Sequence, residues 1–211
     1  MNEKVKDVLE WILCIVTAIL AAIAFRYFIG APTVVQHPSM YPTLVANQRL
    51  ILNRTHRIGG LELKRGDIVT FIAPSKIYTS KYDIDQSNPV AVYEEKERNF
   101  FENFSYTVLD VNKLSYIKRV IGLPGETVEI AGGKVYINGE LLDEPYIADD
   151  IETVSNAYSY FTVPEGHVFL MGDNRTKSAD CRDFGCIPFD KIEGKASFRF
   201  WPLNVFGKID D

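Results

Sequence analysis

Four polar segments of the 211-residue chain hold side chains that could carry out chemistry without a metal. They are residues 39–44 (SMYPTL), 64–71 (KRGDIVTF), 116–126 (YIKRVIGLPGE) and 171–185 (MGDNRTKSADCRDFG). A serine hydroxyl can act as a nucleophile, and a lysine amine can act as a base if its pKa falls below the ordinary value of about 10.4. Taken singly, each segment also has an ordinary explanation, because turn serines, solvated lysines and polar loops are common.

The first element that must position these segments is apolar. Residues 11–29 contain Arg26 as their sole charged residue. A helix over this stretch would be about 28 Å long, roughly the thickness of the hydrocarbon core of a membrane. We therefore predict a transmembrane anchor over residues 11–29, preceded by a cytoplasmic N-terminus over residues 1–10. A cleavable signal peptide, cut after Ala22-Ile-Ala24, is disfavoured because the apolar stretch continues past these alanines.

The orientation of the anchor follows from the basic residues on its two sides. Lys4 and Lys6 precede it, whereas the next basic residue after Arg26 is Arg49. Basic residues favour the cytoplasmic side of a membrane. We therefore predict a single-pass protein of the cell membrane, with its N-terminus in the cytoplasm and residues 30–211 outside it.

The extracytoplasmic part is predicted to be mainly β. Short runs of strand character, bounded by turn residues, cover residues 49–53, 67–72, 165–172 and 196–201. A double hairpin is predicted over residues 128–142, where Asn138 and Gly139 supply the positive φ angles of a tight turn. Outside the anchor, no long stretch shows helical periodicity. The predicted fold is therefore antiparallel sheets in a partly closed, barrel-like catalytic domain over residues 30–211, with little helix.

Residues 75–115 are predicted to form an acidic surface insertion. Between Tyr82 and Asn112 lie seven acidic residues against Lys96 and Arg98, so this segment carries the whole net charge of −5. An acidic chain lacks the basic footprint of nucleic-acid binders, so no nucleic-acid partner is predicted. The segment could also be a flap or a partner surface, because it contains four aromatic residues that could pack or bind: Phe100, Phe101, Phe104 and Tyr106.

No metal or organic cofactor is predicted. The three histidines, His37, His56 and His167, are scattered and lack the i,i+4 pairing typical of zinc sites. Cys181 and Cys186 lie five residues apart and could pair or stay free, because disulfide geometry cannot be judged from sequence.

Taken together and in this order, the anchor and the four segments resemble the bacterial type I signal peptidases. These are membrane-anchored proteases that remove signal peptides from exported proteins. The resemblance spans residues 11–186. It implies a serine endopeptidase that cleaves after Ala-x-Ala and needs no cofactor. It also implies signal peptides and membrane lipid as partners, and it leaves contacts with the secretion machinery open.

The resemblance also implies a role for individual residues. Ser39 matches the nucleophile, Lys118 matches the general base, and Ser178 matches the serine that orients the lysine amine. Burial against apolar neighbours would lower the pKa of Lys118 and let its amine take the serine proton. Asp180 and Arg182 match a bracing ion pair. Five further residues match the lining of shallow apolar substrate pockets, which admit small side chains: Val35, Met40, Leu44, Tyr116 and Ile117.

One position departs from the family pattern. Two residues before the nucleophile, where relatives usually carry Gly or Ser, this chain has His37, followed by Pro38. Proline has no N–H to donate, so the oxyanion hole would depend on the Ser39 amide and a donor from His37. Loss of one such donor typically costs about 10²–10³ in rate. The alternative function is therefore a catalytically weakened homologue that binds signal peptides or partner proteins.

Two other kinds of serine protease are disfavoured. A Ser-His-Asp triad is disfavoured because no histidine carries a triad motif and Lys118 accounts for its own segment. A soluble, self-cleaving Ser/Lys protease of the repressor type is disfavoured because it would have no use for an anchor.

Overall fold

A computed structural model describes residues 3–78, 84–85, 87–148, 150–155 and 157–209 of the chain. One long helix is followed by a β-rich domain in which the remaining helices are short, as predicted. The α-helices of these residues are α1 (Glu3–Phe28), α2 (His56–Gly59), α3 (Phe100–Leu109) and α4 (Cys181–Phe184).

The strands pair into two antiparallel sheets. In chain order they are β1 (Gly30–Val34), β2 (Arg49–Asn53), β3 (Ile68–Ile72), β4 (Ser115–Gly122), β5 (Thr127–Ala131), β6 (Lys134–Ile137), β7 (Glu140–Leu141), β8 (Tyr160–Thr162), β9 (His167–Met171), β10 (Ile187–Pro188), β11 (Ile192–Trp201) and β12 (Gly207–Lys208). The larger sheet has the order β1-β2-β11-β3-β4-β9-β10, with β12 paired to β11, and the smaller has the order β7-β6-β5-β8. The predicted double hairpin is β5-β6-β7.

The sheets are open, which corrects the predicted partly closed, barrel-like form. In the described residues the larger sheet begins at β1 and ends at β10. Each of these edge strands contains a proline, Pro32 in β1 and Pro188 in β10. Because proline cannot donate a ladder hydrogen bond, it suits an edge strand and hinders closure.

The strand β11 lies in the middle of the larger sheet although it comes late in the chain. On one side its Lys195 pairs with Asn53 of β2, and on the other side the same residue pairs with Val69 of β3. In turn β3 pairs with β4, which contains Lys118. The strand β11 therefore links two parts of the sheet. On one side is the β1–β2 pair, and Ser39 lies between these two strands in the chain. On the other side is β3, which pairs with the strand that carries Lys118.

Two clusters of buried apolar side chains form the core. The larger includes Phe71, Val120 and Phe169 and draws on both sheets. The smaller packs beneath the segment that contains Ser39, and it consists of Val35, Met40, Leu44, Leu50, Leu52, Ile68 and Ala196. Burying one large apolar side chain contributes about 1.5–3 kcal/mol, so the smaller cluster holds the serine segment firmly on the sheet.

The helix α1 is long and apolar enough to cross a membrane. Its 26 residues have a mean hydropathy of 2.5 in the most apolar window, and none of them is buried. At 1.5 Å per residue the helix is about 39 Å long. It contains nearly all of the predicted anchor and begins earlier, at Glu3. It is therefore compatible with a membrane anchor.

The predicted acidic insertion contains a helix that the sequence did not indicate. The ten-residue helix α3 is closed at its start by a capping box, in which Asn99 and Glu102 each accept a hydrogen bond from the other's backbone N–H. Such reciprocal caps stabilise the first turn of a helix. Residues 79–83 and 86 of the insertion lie outside the described residues.

Candidate active site

The first component of the site is Ser39, which lies in a single 3₁₀ turn, Pro38–Met40, shortly after β1. Ser39 is buried. The backbone N–H of Asn174 donates to the Ser39 carbonyl oxygen at 3.1 Å, and the Asn174 side chain donates to the Pro38 carbonyl oxygen at 3.1 Å. The loop after β9 therefore fixes the backbone of the serine.

The second component is Lys118, in the middle of β4. The register of β3 and β4 pairs it with Val69, and its side chain is only 3% exposed. The Lys118 Nζ lies 2.8 Å from Ser39 Oγ and 3.0 Å from the carbonyl oxygen of Ile117. The fold thus brings the serine and the lysine into direct hydrogen-bond contact.

The environment of Lys118 changes its acid–base chemistry. Burial lowers its pKa from the ordinary 10.5 to about 8, because an ammonium is poorly solvated there. The negative charge of Asp180 opposes this shift without cancelling it. At pH 7 about one such amine in ten is neutral, against fewer than about one in a thousand for an ordinary lysine.

Gly172 packs directly against both the serine segment and Ser178. A Cβ built on Gly172 would lie 2.5 Å from the Ser39 carbonyl oxygen and would collide with Ser178 Oγ. This close approach explains why a glycine stands there. The Ser178 hydroxyl is buried and makes no regular hydrogen bond to a described residue, although it lies near enough to Asp180 to stabilise that carboxylate.

Asp180 and Arg182 form a buried ion pair beside the site. The Arg182 guanidinium donates to both carboxylate oxygens, at 2.8 and 2.9 Å, and the Gly172 N–H donates to Asp180 Oδ2 at 2.9 Å. Burial alone would raise the pKa of Asp180, but Arg182 and these hydrogen bonds hold it below its usual value. The pair therefore remains charged and fixes Gly172.

A second buried ion pair, between Arg119 and Asp173, was not predicted from the sequence. Arg119 donates to both oxygens of Asp173 at 2.9 Å, and Thr43 Oγ1 donates to Asp173 Oδ2 at 2.6 Å. This pair joins β4, the loop after β9 and the serine segment. An arginine within the apolar strand run after Lys118 was the available signal, since a buried guanidinium requires an anionic partner.

A cleft of about 610 Å³ contains the Lys118–Ser39 contact. Three of the five predicted pocket residues line it: Val35, Tyr116 and Ile117. The other two, Met40 and Leu44, are fully buried in the smaller core cluster and support the segment from beneath. The far end of the cleft is charged and reaches the end of α1 at Arg26.

The remaining predicted residues are His37 and the two cysteines. His37 lines the cleft and is exposed, while Pro38 follows it at the start of the 3₁₀ turn. Cys181 and Cys186 are both free and buried, so no disulfide joins them. Within the residues that the structure describes, no group of three or more His, Cys, Asp or Glu side chains could hold a metal ion.

A family model described as signal peptidase, peptidase S26, matches residues 8–201 of the chain. This chain belongs to the signal peptidase family. The match covers most of α1, the strands β1 to β11 and every residue of the site, so the resemblance to type I signal peptidases predicted from the sequence is confirmed. Membership in the family supports a serine endopeptidase.

Two curated members of the signal peptidase family are similar over almost the whole chain, and a solved structure is similar over part of it. Signal peptidase I S of Bacillus subtilis is 35% identical, covering 99% of this chain and 97% of its own. A probable signal peptidase I-2 of Synechocystis is 36% identical, covering 93% and 74%. A crystal structure of a signal peptidase I from Enterococcus faecalis is 30% identical, covers 64% of this chain and 97% of its own, and has a TM-score of 0.38.

Proposed function

We propose that the protein is a membrane-bound serine endopeptidase that removes signal peptides from exported precursors, with Ser39 as nucleophile and Lys118 as general base. The observation that carries this proposal is the 2.8 Å contact between Lys118 Nζ and Ser39 Oγ, made by a buried lysine whose pKa is lowered to about 8. An amine with that pKa can accept a proton near neutral pH.

The proposed reaction has two halves. The Ser39 Oγ attacks the scissile carbonyl carbon while the neutral Lys118 amine takes the hydroxyl proton. The tetrahedral intermediate then collapses, the lysine gives its proton to the leaving amine of the mature protein, and the signal peptide stays attached as an ester. In the second half Lys118 takes a proton from water, which hydrolyses the ester and restores Ser39. No metal or cofactor takes part.

Supporting roles follow from the contacts. We assign Ser178, Asp180 and Arg182 to positioning, because they surround Gly172, which packs against the backbone of Ser39. The developing oxyanion would be bound by the Ser39 amide and a donor from His37, since Pro38 offers no N–H.

The cleft is proposed to hold the precursor in an extended form. Val35, Tyr116 and Ile117 would contact the residues before the scissile bond, and Met40 and Leu44 would support them from the core. Small side chains suit such a shallow lining, which favours cleavage after Ala-x-Ala. Each methylene too many or too few costs about 1–3 kcal/mol of discrimination in an apolar pocket.

The anchor would place this chemistry at the membrane. With α1 as a single span and the N-terminus in the cytoplasm, residues 30–211 lie outside, and Ser39 follows closely after Phe28, where the helix ends. Membrane lipid and the signal peptides of precursors are therefore the proposed partners, and contacts with the secretion machinery are consistent with this position.

The proposal is tested by incubating the purified full chain in detergent with an exported precursor. We expect the mature protein to appear, and mass spectrometry of its N-terminus to place the cut directly after Ala-x-Ala. The matched control is the same precursor with the last alanine replaced by phenylalanine, which should stay uncut.

The same experiment separates the alternative function. A catalytically weakened homologue would hold the precursor, detectable by co-purification, and would release no mature product. Cleavage at a site without small residues would contradict the proposed specificity and leave the protease assignment standing.

The rate of processing should depend on pH through Lys118. Protonation removes the base, so activity is lost as the pH falls and is gained as it rises through the pKa of the amine. We expect kcat/KM to rise with pH and reach half its maximum at about pH 8. A pH profile measured with a peptide substrate checks this. A half-maximum near the ordinary lysine value of 10.5 would contradict the role given to burial.

A further inference from the structure

The outer face of α3 is an exposed aromatic surface that the proposed function leaves unused. Phe100 is 78% exposed and Phe101 80% exposed, and their rings contact each other edge to face at 5.5 Å. Phe104, one turn further along, is also exposed. Residues three and four apart lie on the same side of a helix, so these rings form one face.

The opposite face of α3 is the one bound to the protein. Tyr106 is half-buried there, with the Arg98 guanidinium 3.7 Å from its ring centroid and the Lys113 amine at 5.0 Å. The helix is therefore held on the side that carries Tyr106, and the phenylalanines point away from the domain.

The end of α3 is tied to the end of α1. The Arg26 guanidinium donates to the Leu109 carbonyl oxygen at 3.0 Å, where a helix carries partial negative charge. It also donates to Asp110 at 3.2 Å, and Asp110 in turn pairs with Arg54 at 2.9 Å and with Lys113 at 3.0 Å. Burial opposes ionisation of Asp110, but Arg54 and Lys113 hold its pKa below the usual value. The ion cluster fixes α3 at the point where the apolar helix ends.

We propose that α3 is a second membrane contact, with its phenylalanine face lying in the lipid at the interface of the bilayer that α1 spans. This inference rests on the proposed membrane anchor. Lipid is the partner inferred from position, because Arg26 lies at the end of the apolar span and holds the end of α3 at the same height above the membrane centre. Amphipathic helices with bulky apolar residues lie in this way, about 5–10 Å deep.

The charges around α3 define the kind of membrane interaction. The preceding stretch, residues 94–98, contains three glutamates against one lysine and one arginine, and Glu102 lies on the helix itself. An acidic neighbourhood gives no attraction to anionic lipid. The contact is therefore made with acyl chains and does not require anionic headgroups.

The test measures tryptophan fluorescence in phosphatidylcholine vesicles whose acyl chains carry bromine, a short-range quencher. The full chain is used with Trp11→Phe and Trp201→Phe, so that all tryptophan fluorescence comes from one introduced tryptophan. Phe101→Trp places it on α3. The matched control, Leu141→Trp, places it at a residue of β7 that is 60% exposed, in the smaller sheet.

We expect Phe101→Trp to lose at least about half of its fluorescence relative to unbrominated lipid, and Leu141→Trp to lose almost none. No quenching of Phe101→Trp, or equal quenching of both, would overturn the inference. A separate chain with Trp201→Phe alone keeps Trp11 in α1, whose quenching reports on the anchor. Failure of the anchor is therefore distinguished from failure of α3 to reach the lipid.

Discussion

Replacing Lys118 with methionine is expected to abolish precursor processing and to leave the domain folded. Methionine fills nearly the same volume but cannot take a proton from Ser39 Oγ, which the amine contacts at 2.8 Å. We expect kcat/KM to fall by at least about 10³-fold. Because burial disfavours the ammonium, the apolar replacement should keep or raise the melting temperature. Rates are measured on the precursor, and melting is followed by circular dichroism.

Two comparisons make this result specific. Ser39→Ala should lose as much activity as Lys118→Met, and the double variant should lose little more, since groups that act as one unit are not additive. Lys177→Met removes an exposed lysine that also lines the cleft and should retain most of the activity. Processing that survives Lys118→Met would sink the assignment of the base.

Replacing Asp180 with alanine is expected to lower the free energy of unfolding more than any other substitution proposed for the site. The carboxylate is fully buried, and its removal leaves the Arg182 guanidinium buried without its anionic partner. Breaking a buried ion pair from one side costs about 3–5 kcal/mol. It also frees the Gly172 N–H, so the backbone beside Ser39 should lose its support and activity should fall with stability. Denaturant unfolding measures the free energy.

The matched control is Asp190→Ala. Asp190 pairs with Lys191 at 2.8 Å on the surface, where the pair is solvated. Exposed pairs contribute about 0–1 kcal/mol, so this variant should unfold almost as the unchanged protein does. Equal losses for the two variants would contradict the importance given to burial.

The sequence indicated the core of the site because its chemistry lies in short segments. Ser39 and Lys118 were singled out because the four segments together match those of the type I signal peptidases, and the structure brings the two residues together. Their roles are proposals. Met40 could not be told from a pocket residue, since apolar residues line clefts and fill cores alike. The Arg119–Asp173 pair was missed because it depends on which face of β4 each side chain occupies, and that is set by packing.

The strands were predicted well where the signal was local. Asn138 and Gly139 mark the hairpin between β6 and β7 because a tight turn needs their positive φ angles. The openness of the sheets and the central place of β11 are long-range properties, and no local pattern encodes them. The helix α3 was missed because aromatic residues are only average helix formers, and its cap became clear once Asn99 and Glu102 were seen to bind each other.

The central place of β11 bears on when the backbone around Ser39 is fixed in a newly made molecule. The ribosome delivers α1 and Ser39 early, whereas Asn174, which fixes the serine backbone, and β11, which completes the sheet, come late in the chain. Pairing between distant parts of a chain is slow, because the long intervening loop must be closed first. We infer that the reactive centre matures only after synthesis is nearly finished. A half-made copy would then lack the contacts that fix the serine backbone in the complete chain.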